Sequence, residues 1–294
     1  MAELITAMVT IFNDDLSVDY DACVNLANFL IENGSDGLVI SGTTGESPTL
    51  TDEEKLTLFS RVKEAIGNRA KVIAGTGSNC TDSTLNLTKE ASKTGVDGIM
   101  LVTPYYNKPP QAGLIRHFQT VAEAVELQVI LYNVPSRTGA NIEAETAITL
   151  SQTANIVAVK EASGNLEQIK QIIDNTPDDF KVYSGDDAAT FDIMKLGGDG
   201  VISVASHIIG QQMKDLLSFC EQENFTEAED LNNQLMPIFK GLFKTTNPIL
   251  VKAGLELIGQ PGGPLRLPLI EATKTQKAEL SNLLETLTIK ESTF

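Results

Sequence analysis

Tryptophan is absent from the 294 residues, and only 2 histidines and 3 cysteines occur. Cys23, Cys80 and Cys220 are widely separated and odd in number, with no CxxC pair. That argues against a disulfide framework or a zinc knuckle and fits reduced structural thiols. Two distant histidines, His117 and His207, make a poor ligand set for a catalytic metal, so none is expected, and both are assigned helix-surface or packing roles. Positive charge is scarce as well: 22 Lys+Arg against 39 Asp+Glu leave a formal net charge of -17. Such a chain repels phosphate backbones and anionic lipid surfaces, which excludes nucleic acid and membranes as partners. Its apolar runs, such as "GIMLVTPYY", fall far short of the roughly 20 residues a bilayer span needs. The opening "MAELITAMVT" lacks the basic region and cleavage site of a secretory signal. A cytoplasmic protein is expected.

What the chain does have is a large apolar fraction, 42% of residues in 31.6 kDa, and a recurring unit. Each unit is a short β-rich apolar run, a Gly- or Pro-marked turn and a helical pattern. The candidate strands are "LITAMVTI", "GLVISG", "KVIAGTG", "GIMLVTP", "QVILYNV", "IVAVKEA", "KVYSG" and "GVISVAS". Their near-continuous apolar character suits parallel strands covered on both faces. Between them, "SVDYDACVNLANFLIENG" reads as a helix capped by Ser17 or Asp19, stopped by Gly34, with Ala22, Leu26, Phe29 and Leu30 on one face. In the next helical segment Thr51 or Asp52 is the cap. Eight alternating units predict an α/β fold, a (β/α)8 TIM barrel. After about Ile208 the strand signal stops and three helical stretches follow, so residues 1–222 are read as the barrel and 223–294 as a C-terminal helical extension.

In such barrels chemistry sits where strands end in βα loops. The second strand delivers Thr43, Thr44, Gly45 and Glu46; the fourth Tyr105 and Tyr106; the fifth Tyr132, Asn133 and then Arg137; the sixth Lys160 and Glu161. The seventh delivers Ser184, Gly185 and Asp186, the eighth Ile202 and Ser203. Lys160 alternates with Ile156 and Ala158 and is expected to share their face, pointing into the barrel. Burying an ammonium without a partner lowers its pKa toward the neutral amine, a nucleophile that forms imines with ketones and aldehydes. The competing reading pairs Lys160 with Glu161 or Asp186.

The other groups are individually ambiguous. Tyr132 is placed to shuttle protons during imine formation, or else to fill the core with its hydroxyl on a carbonyl. "SGTTGES" can hold a small carboxylate on backbone N–H groups, or can be only a tight turn; it lacks the ending of a phosphate loop. Arg137 is a guanidinium suited to bidentate carboxylate binding, or a solvated surface residue.

Four stretches in order, "GTTGES" from Gly42, "PYYNKP" from Pro104, "YNVPSRTG" from Tyr132 and "VKEASG" from Val159, resemble the dihydrodipicolinate synthase family over nearly the whole chain. The resemblance implies that Lys160 forms a Schiff base with pyruvate and that Thr43, Tyr132 and Tyr106 form a proton relay, with Tyr106 reaching in from a neighbouring subunit. It further implies that Thr44 and the adjacent backbone hold the pyruvate carboxylate, that Arg137 holds the carboxylate of aspartate semialdehyde, and that Gly185 and Ile202 line the pocket. No cofactor is implied, and the assembly is expected to be a homodimer or homotetramer. The reaction would yield 4-hydroxy-tetrahydrodipicolinate on the route to diaminopimelate and lysine.

Two rivals stand beside this reading. A sister class I lyase would cleave N-acetylneuraminate or a 2-keto-3-deoxy sugar acid with the same lysine and tyrosine; Arg137 and the paired tyrosines favour the synthase. A non-enzymatic or phosphate-binding barrel using "YSGDD" and "GGDGVISVAS" leaves Lys160 and Tyr132 unexplained. Ser47, Asn79 and Tyr105 match the family's allosteric cleft for lysine. Asp52, Lys55 and Ser83 depart from it, since lysine-sensitive members carry two histidines and a glutamate there.

Overall fold

The computed structural model describes residues 2–291. Eight apolar runs form β1 (Glu3–Ala7), β2 (Gly37–Ile40), β3 (Lys71–Gly75), β4 (Gly98–Val102), β5 (Gln128–Asn133), β6 (Ile156–Glu161), β7 (Lys181–Ser184) and β8 (Gly200–Ser203). Each pairs in parallel with the next, and β8 pairs back onto β1 to close a barrel. The strands end earlier than the apolar runs do. β1 stops at Ala7, yet Met8, Val9 and Ile11 stay buried beyond it as part of the barrel's upper rim.

Helices cover the outside: α1 (Tyr20–Glu32), α2 (Asp52–Ile66), α3 (Thr81–Ala91), α4 (Gln111–Ala122), α5 (Pro135–Thr138), α6 (Ala144–Leu150), α7 (Leu166–Asn175), α8 (Thr190–Lys195) and α9 (Ser206–Glu221). Their starts are set by local hydrogen bonds. Asp19 caps α1 by accepting from the Ala22 N–H, and Thr51 with Glu54 forms a reciprocal capping box on α2. The buried face of α1 is Cys23, Leu26, Ala27 and Leu30. Ala22 and Phe29, expected on that face, are only partly buried.

Two apolar layers result. A large outer cluster fills the space between strands and helices, and a smaller one, including Ile5, Val39, Ile73, Met100, Ala158 and Ile202, plugs the barrel interior. Ile156 belongs to the outer cluster, not to the face of Lys160. The cause is a register shift between β5 and β6 at Val129/Ile130, which skips one residue and turns Ala158 and Lys160 inward.

Both histidines are buried, so neither lies on a helix surface. His117 packs edge-on against Phe118, and His207 accepts from the Val9 N–H at 3.1 Å. Cys23 and Cys220 are buried free thiols, whereas Cys80 is free and exposed at the start of α3.

Beyond β8 the described residues form four helices rather than three. The first, α9, packs against β1 and completes the barrel, and α10 (Phe225–Leu242), α11 (Ile249–Leu257) and α12 (Lys274–Glu291) follow it. Leu235, Phe239, Val251 and Leu280 of these helices join the outer cluster of the barrel. Residues 292–294, the end of the expected extension, lie outside the described residues. No described helix is long and apolar enough to cross a membrane.

Candidate active site

At the C-terminal ends of the strands a cavity of about 310 Å³ opens, with Thr43, Thr44, Tyr132, Arg137, Lys160 and Gly185 on its walls. Six of the expected residues, from four different strand ends and their βα connections, therefore converge. Lys160 is 5% exposed and rises from β6 beside Tyr132 of β5, its register partner. Its Nζ lies 4.3 Å from the centre of the Tyr132 ring.

Neither expected carboxylate neutralises Lys160. Glu161 turns outward, where it accepts from Asn133, Gln168 and the Ser163 N–H. Asp186 lines the cavity without bonding the amine, and its Oδ1 accepts instead from the Ala188 N–H. Burial consequently dominates and lowers the Lys160 pKa from 10.5 to about 8; Asp187 opposes the shift and Arg137 adds to it. Asp187 is itself buried, accepting from the N–H groups of Val204 and Ala205.

Tyr132 is held above its ordinary pKa by burial, with the charge of Arg137 and the hydroxyl of Thr43 pulling the other way. The phenol thus keeps its proton at neutral pH. Thr44 is buried, and its hydroxyl accepts from Asn247 Nδ2 at 2.9 Å. Within this turn the N–H groups of Gly45, Glu46 and Ser47 bond back to Gly42 and Thr43 carbonyls. Those of Thr43 and Thr44 carry no hydrogen bond among the described residues. Two free N–H groups at a cavity wall suit an oxyanion. Gly185 is required by space: a Cβ there would lie 2.8 Å from Ala162 Cβ and 3.1 Å from Lys160 Cγ.

Arg137 is carried by α5, a single turn that opens with Pro135 directly after β5, which aims its guanidinium over the mouth. Ile202 sits lower, in the interior cluster, and Val204 stands on the wall in its place. Tyr106 is not brought to this cavity by its own chain. It is 88% exposed, with φ 73°, and does not line the cavity.

A family profile described as the Dihydrodipicolinate synthetase family matches residues 1–287. The chain belongs to that family. It is 52% identical over 282 residues to the 4-hydroxy-tetrahydrodipicolinate synthase of Heliobacterium modesticaldum, covering 96% of this chain and 94% of that one. It is 51% identical to 4-hydroxy-tetrahydrodipicolinate synthase 1 of Halalkalibacterium halodurans, covering 95% of each. Among solved structures it matches the lysine-bound enzyme of Cyanidioschyzon merolae at 46% identity and a TM-score of 0.96, covering 98% of each chain.

Family membership directs attention to a second cleft of about 270 Å³ that shares Thr43, Tyr132 and Arg137 with the first. Ser47 and Tyr105 line it, together with Lys55 and Ser78. Asn79 is not on this wall; its carbonyl accepts from Asn107 Nδ2 at 2.9 Å. The sequence reading missed the contribution of the C-terminal extension to the main cavity, where Phe239, Lys240, Phe243 and Asn247 form one side. No local pattern around those residues marks them, because their role exists only once α10 and α11 fold over the barrel.

Proposed function

We propose that this chain condenses pyruvate with L-aspartate 4-semialdehyde to 4-hydroxy-tetrahydrodipicolinate, through a Schiff base on Lys160, in lysine and diaminopimelate biosynthesis. The observation that carries the reading is a buried, carboxylate-free lysine with its pKa lowered to about 8, at the C-terminal end of a barrel strand. Neutral Lys160 attacks the pyruvate carbonyl carbon, and the protonated Tyr132 phenol supplies the proton with which hydroxide leaves as water. The resulting iminium draws electrons from the methyl group, which loses a proton to give the enamine. The enamine carbon attacks the aldehyde, and the alkoxide so formed takes up a proton. The substrate's amine then adds to the iminium carbon, closes the ring and releases Lys160.

The supporting groups follow from their positions. The free N–H groups of Thr43 and Thr44 hold the pyruvate carboxylate, and Gly185 leaves room beside the Lys160 side chain. Arg137 receives the carboxylate of the semialdehyde at the mouth. Thr43 and Tyr106 of a partner subunit extend the proton relay from Tyr132, which makes the working form a homo-oligomer, a dimer or tetramer. Ile202 shapes the floor from below. Ser47 and Tyr105, with Asn79 nearby, form the allosteric cleft. Residues 1–222 are the catalytic barrel and 223–294 its helical extension, and the enzyme works in the cytoplasm.

Borohydride reduction in the presence of pyruvate, followed by peptide mass mapping, tests the reading. A reduced pyruvyl adduct on Lys160 is expected. An adduct on another lysine, or none, would overturn the mechanism.

A further inference from the structure

The turn bearing Thr43 and Thr44 holds two non-glycine residues in the left-handed region, Ser41 at φ 58° and Glu46 at φ 55°. Side chains persist there only where the surroundings impose it. For Glu46 the restraint comes from far along the chain. Its carboxylate is buried and bonds Lys252 Nζ at 2.7 Å, 206 residues later, and the Arg266 N–H at 3.0 Å. Lys252 Nζ also donates to the Pro264 carbonyl at 2.7 Å and lies 4.6 Å from the centre of the Phe12 ring. The Arg266 guanidinium stacks over that ring at 4.4 Å and donates to the Leu16 and Thr49 carbonyls and to Glu54.

A buried ion pair adds little net stability, because removing both charges from water offsets most of their attraction. It is, however, directional. It fixes where Glu46 sits, and Glu46 is the downstream end of the turn. Thr10 fixes the middle by donating to the Gly45 carbonyl at 2.7 Å. The anchored Gly45 and Glu46 N–H groups donate back to the Gly42 and Thr43 carbonyls, so their placement sets where the Thr43 and Thr44 N–H groups point.

We propose that the Glu46–Lys252 pair is a positioning device through which the C-terminal extension holds the Thr43–Thr44 backbone in the orientation that receives the pyruvate carboxylate. The inference rests on assigning that turn to pyruvate. Neither Glu46 nor Lys252 lines the cavity, so both act through the turn and not on substrate.

The test compares the full-length enzyme with Glu46→Gln, Lys252→Met and the double variant, each checked for folding by circular dichroism and thermal melting. The readout is the pyruvate concentration giving half-maximal borohydride-trapped adduct on Lys160, set beside the KM for the semialdehyde at saturating pyruvate. Misplacing a binding group by a fraction of an ångström should raise the pyruvate value about tenfold or more. The semialdehyde KM should stay within about twofold, and adduct at saturating pyruvate should reach the normal level. An unchanged pyruvate value in folded variants overturns the proposal, as does an equal rise for both substrates, which marks a structural role. Arg266→Ala leaves the buried pair and the backbone N–H in place while removing the outer clamp. It should give a smaller rise, about threefold, confined to pyruvate. If the buried variants do not fold, Glu46→Asp, which keeps the charge pair but draws the carboxylate back by one methylene, decides: an unchanged pyruvate value overturns the proposal. Absence of the Lys160 adduct in the unaltered enzyme would instead remove the pyruvate assignment itself.

Discussion

The Lys160 amine nitrogen lies 4.3 Å from the centre of the Tyr132 ring, with no carboxylate paired to it among the described residues. An aromatic face favours the charged amine and burial favours the neutral one; burial wins, bringing the pKa from 10.5 to about 8. Only the neutral form attacks pyruvate. Imine formation should therefore rise with pH and level off above about 8, falling roughly tenfold per pH unit below it. Rapid-quench trapping with borohydride between pH 6 and about 9.5 measures this. A profile still climbing at pH 10 would mean an ordinary solvated lysine.

Arg137 adds to the depression of Lys160 and lines the mouth of the cavity. Arg137→Ala should consequently do two separable things. The midpoint of the imine profile should move to higher pH, because a repelling charge has gone. The KM for the semialdehyde should rise tenfold or more, as expected for a lost charge-assisted bond of roughly 1.5–3 kcal/mol, while trapped adduct at high pH stays near normal. Equal losses for both substrates would move Arg137 from recognition to structure.

Tyr106 stands 88% exposed on its own chain and away from the cavity that holds Lys160. If a second copy inserts it, Tyr106→Phe and Lys160→Ala subunits, each inactive alone, should complement when mixed. Random pairing puts both intact groups into about a quarter of the sites, so recovery should approach that fraction of the unaltered activity. No recovery after exchange is verified by mass spectrometry would confine the tyrosine to its own chain.

At the opposite end of the barrel Glu3 joins three strands, bonding Lys71 at 2.5 Å, Lys181 at 2.8 Å and the Tyr183 hydroxyl. Burial opposes ionisation there, but these three donors outweigh it and bring the Glu3 pKa from 4.5 to about 2. A folded-state pKa below the unfolded one gives stability that is complete above about 4.5 and lost as pH falls toward 2. Lys71 and Lys181 are partly solvated, so screening reduces the effect to roughly 1–2 kcal/mol. Glu3→Gln should unfold that much more easily at pH 7 in urea, with the difference shrinking below pH 4. A difference independent of pH would assign the loss to packing.

How far the sequence reached can be judged residue by residue. All eight strands were legible, because burial on both faces leaves an apolar run that no helix period imitates. Lys160, Tyr132, Thr43, Thr44, Arg137 and Gly185 were legible for a related reason: barrel topology assigns strand ends to one rim before any coordinate is known. The orientation of Ile156 was not, since a one-residue register shift leaves no trace in the alternation it breaks. Nor were Asn247 and the Glu46–Lys252 pair. These contacts join residues more than 200 positions apart, and neither partner's surroundings encode the other.

Feedback by lysine should be weak or absent. In the cleft proposed as allosteric, Ser47 and Tyr105 share the wall with Lys55, whose side chain is 13% exposed. Its positive charge would repel the ammonium of an effector bound there. By the resemblance, Ser83 replaces the glutamate that lysine-sensitive members pair with that ammonium, and losing a charged contact of roughly 1.5–3 kcal/mol weakens binding more than tenfold. Asp52 is no substitute: its side chain is 71% exposed, and it already lies 3.6 Å from Lys55. Lysine titrated to about 1 mM at sub-saturating pyruvate should leave most of the activity, whereas half-inhibition well below that concentration would show that another acid had rebuilt the site. Converting both positions, Lys55→His with Ser83→Glu, should restore inhibition, because it removes the repulsion and supplies a carboxylate for the effector's ammonium.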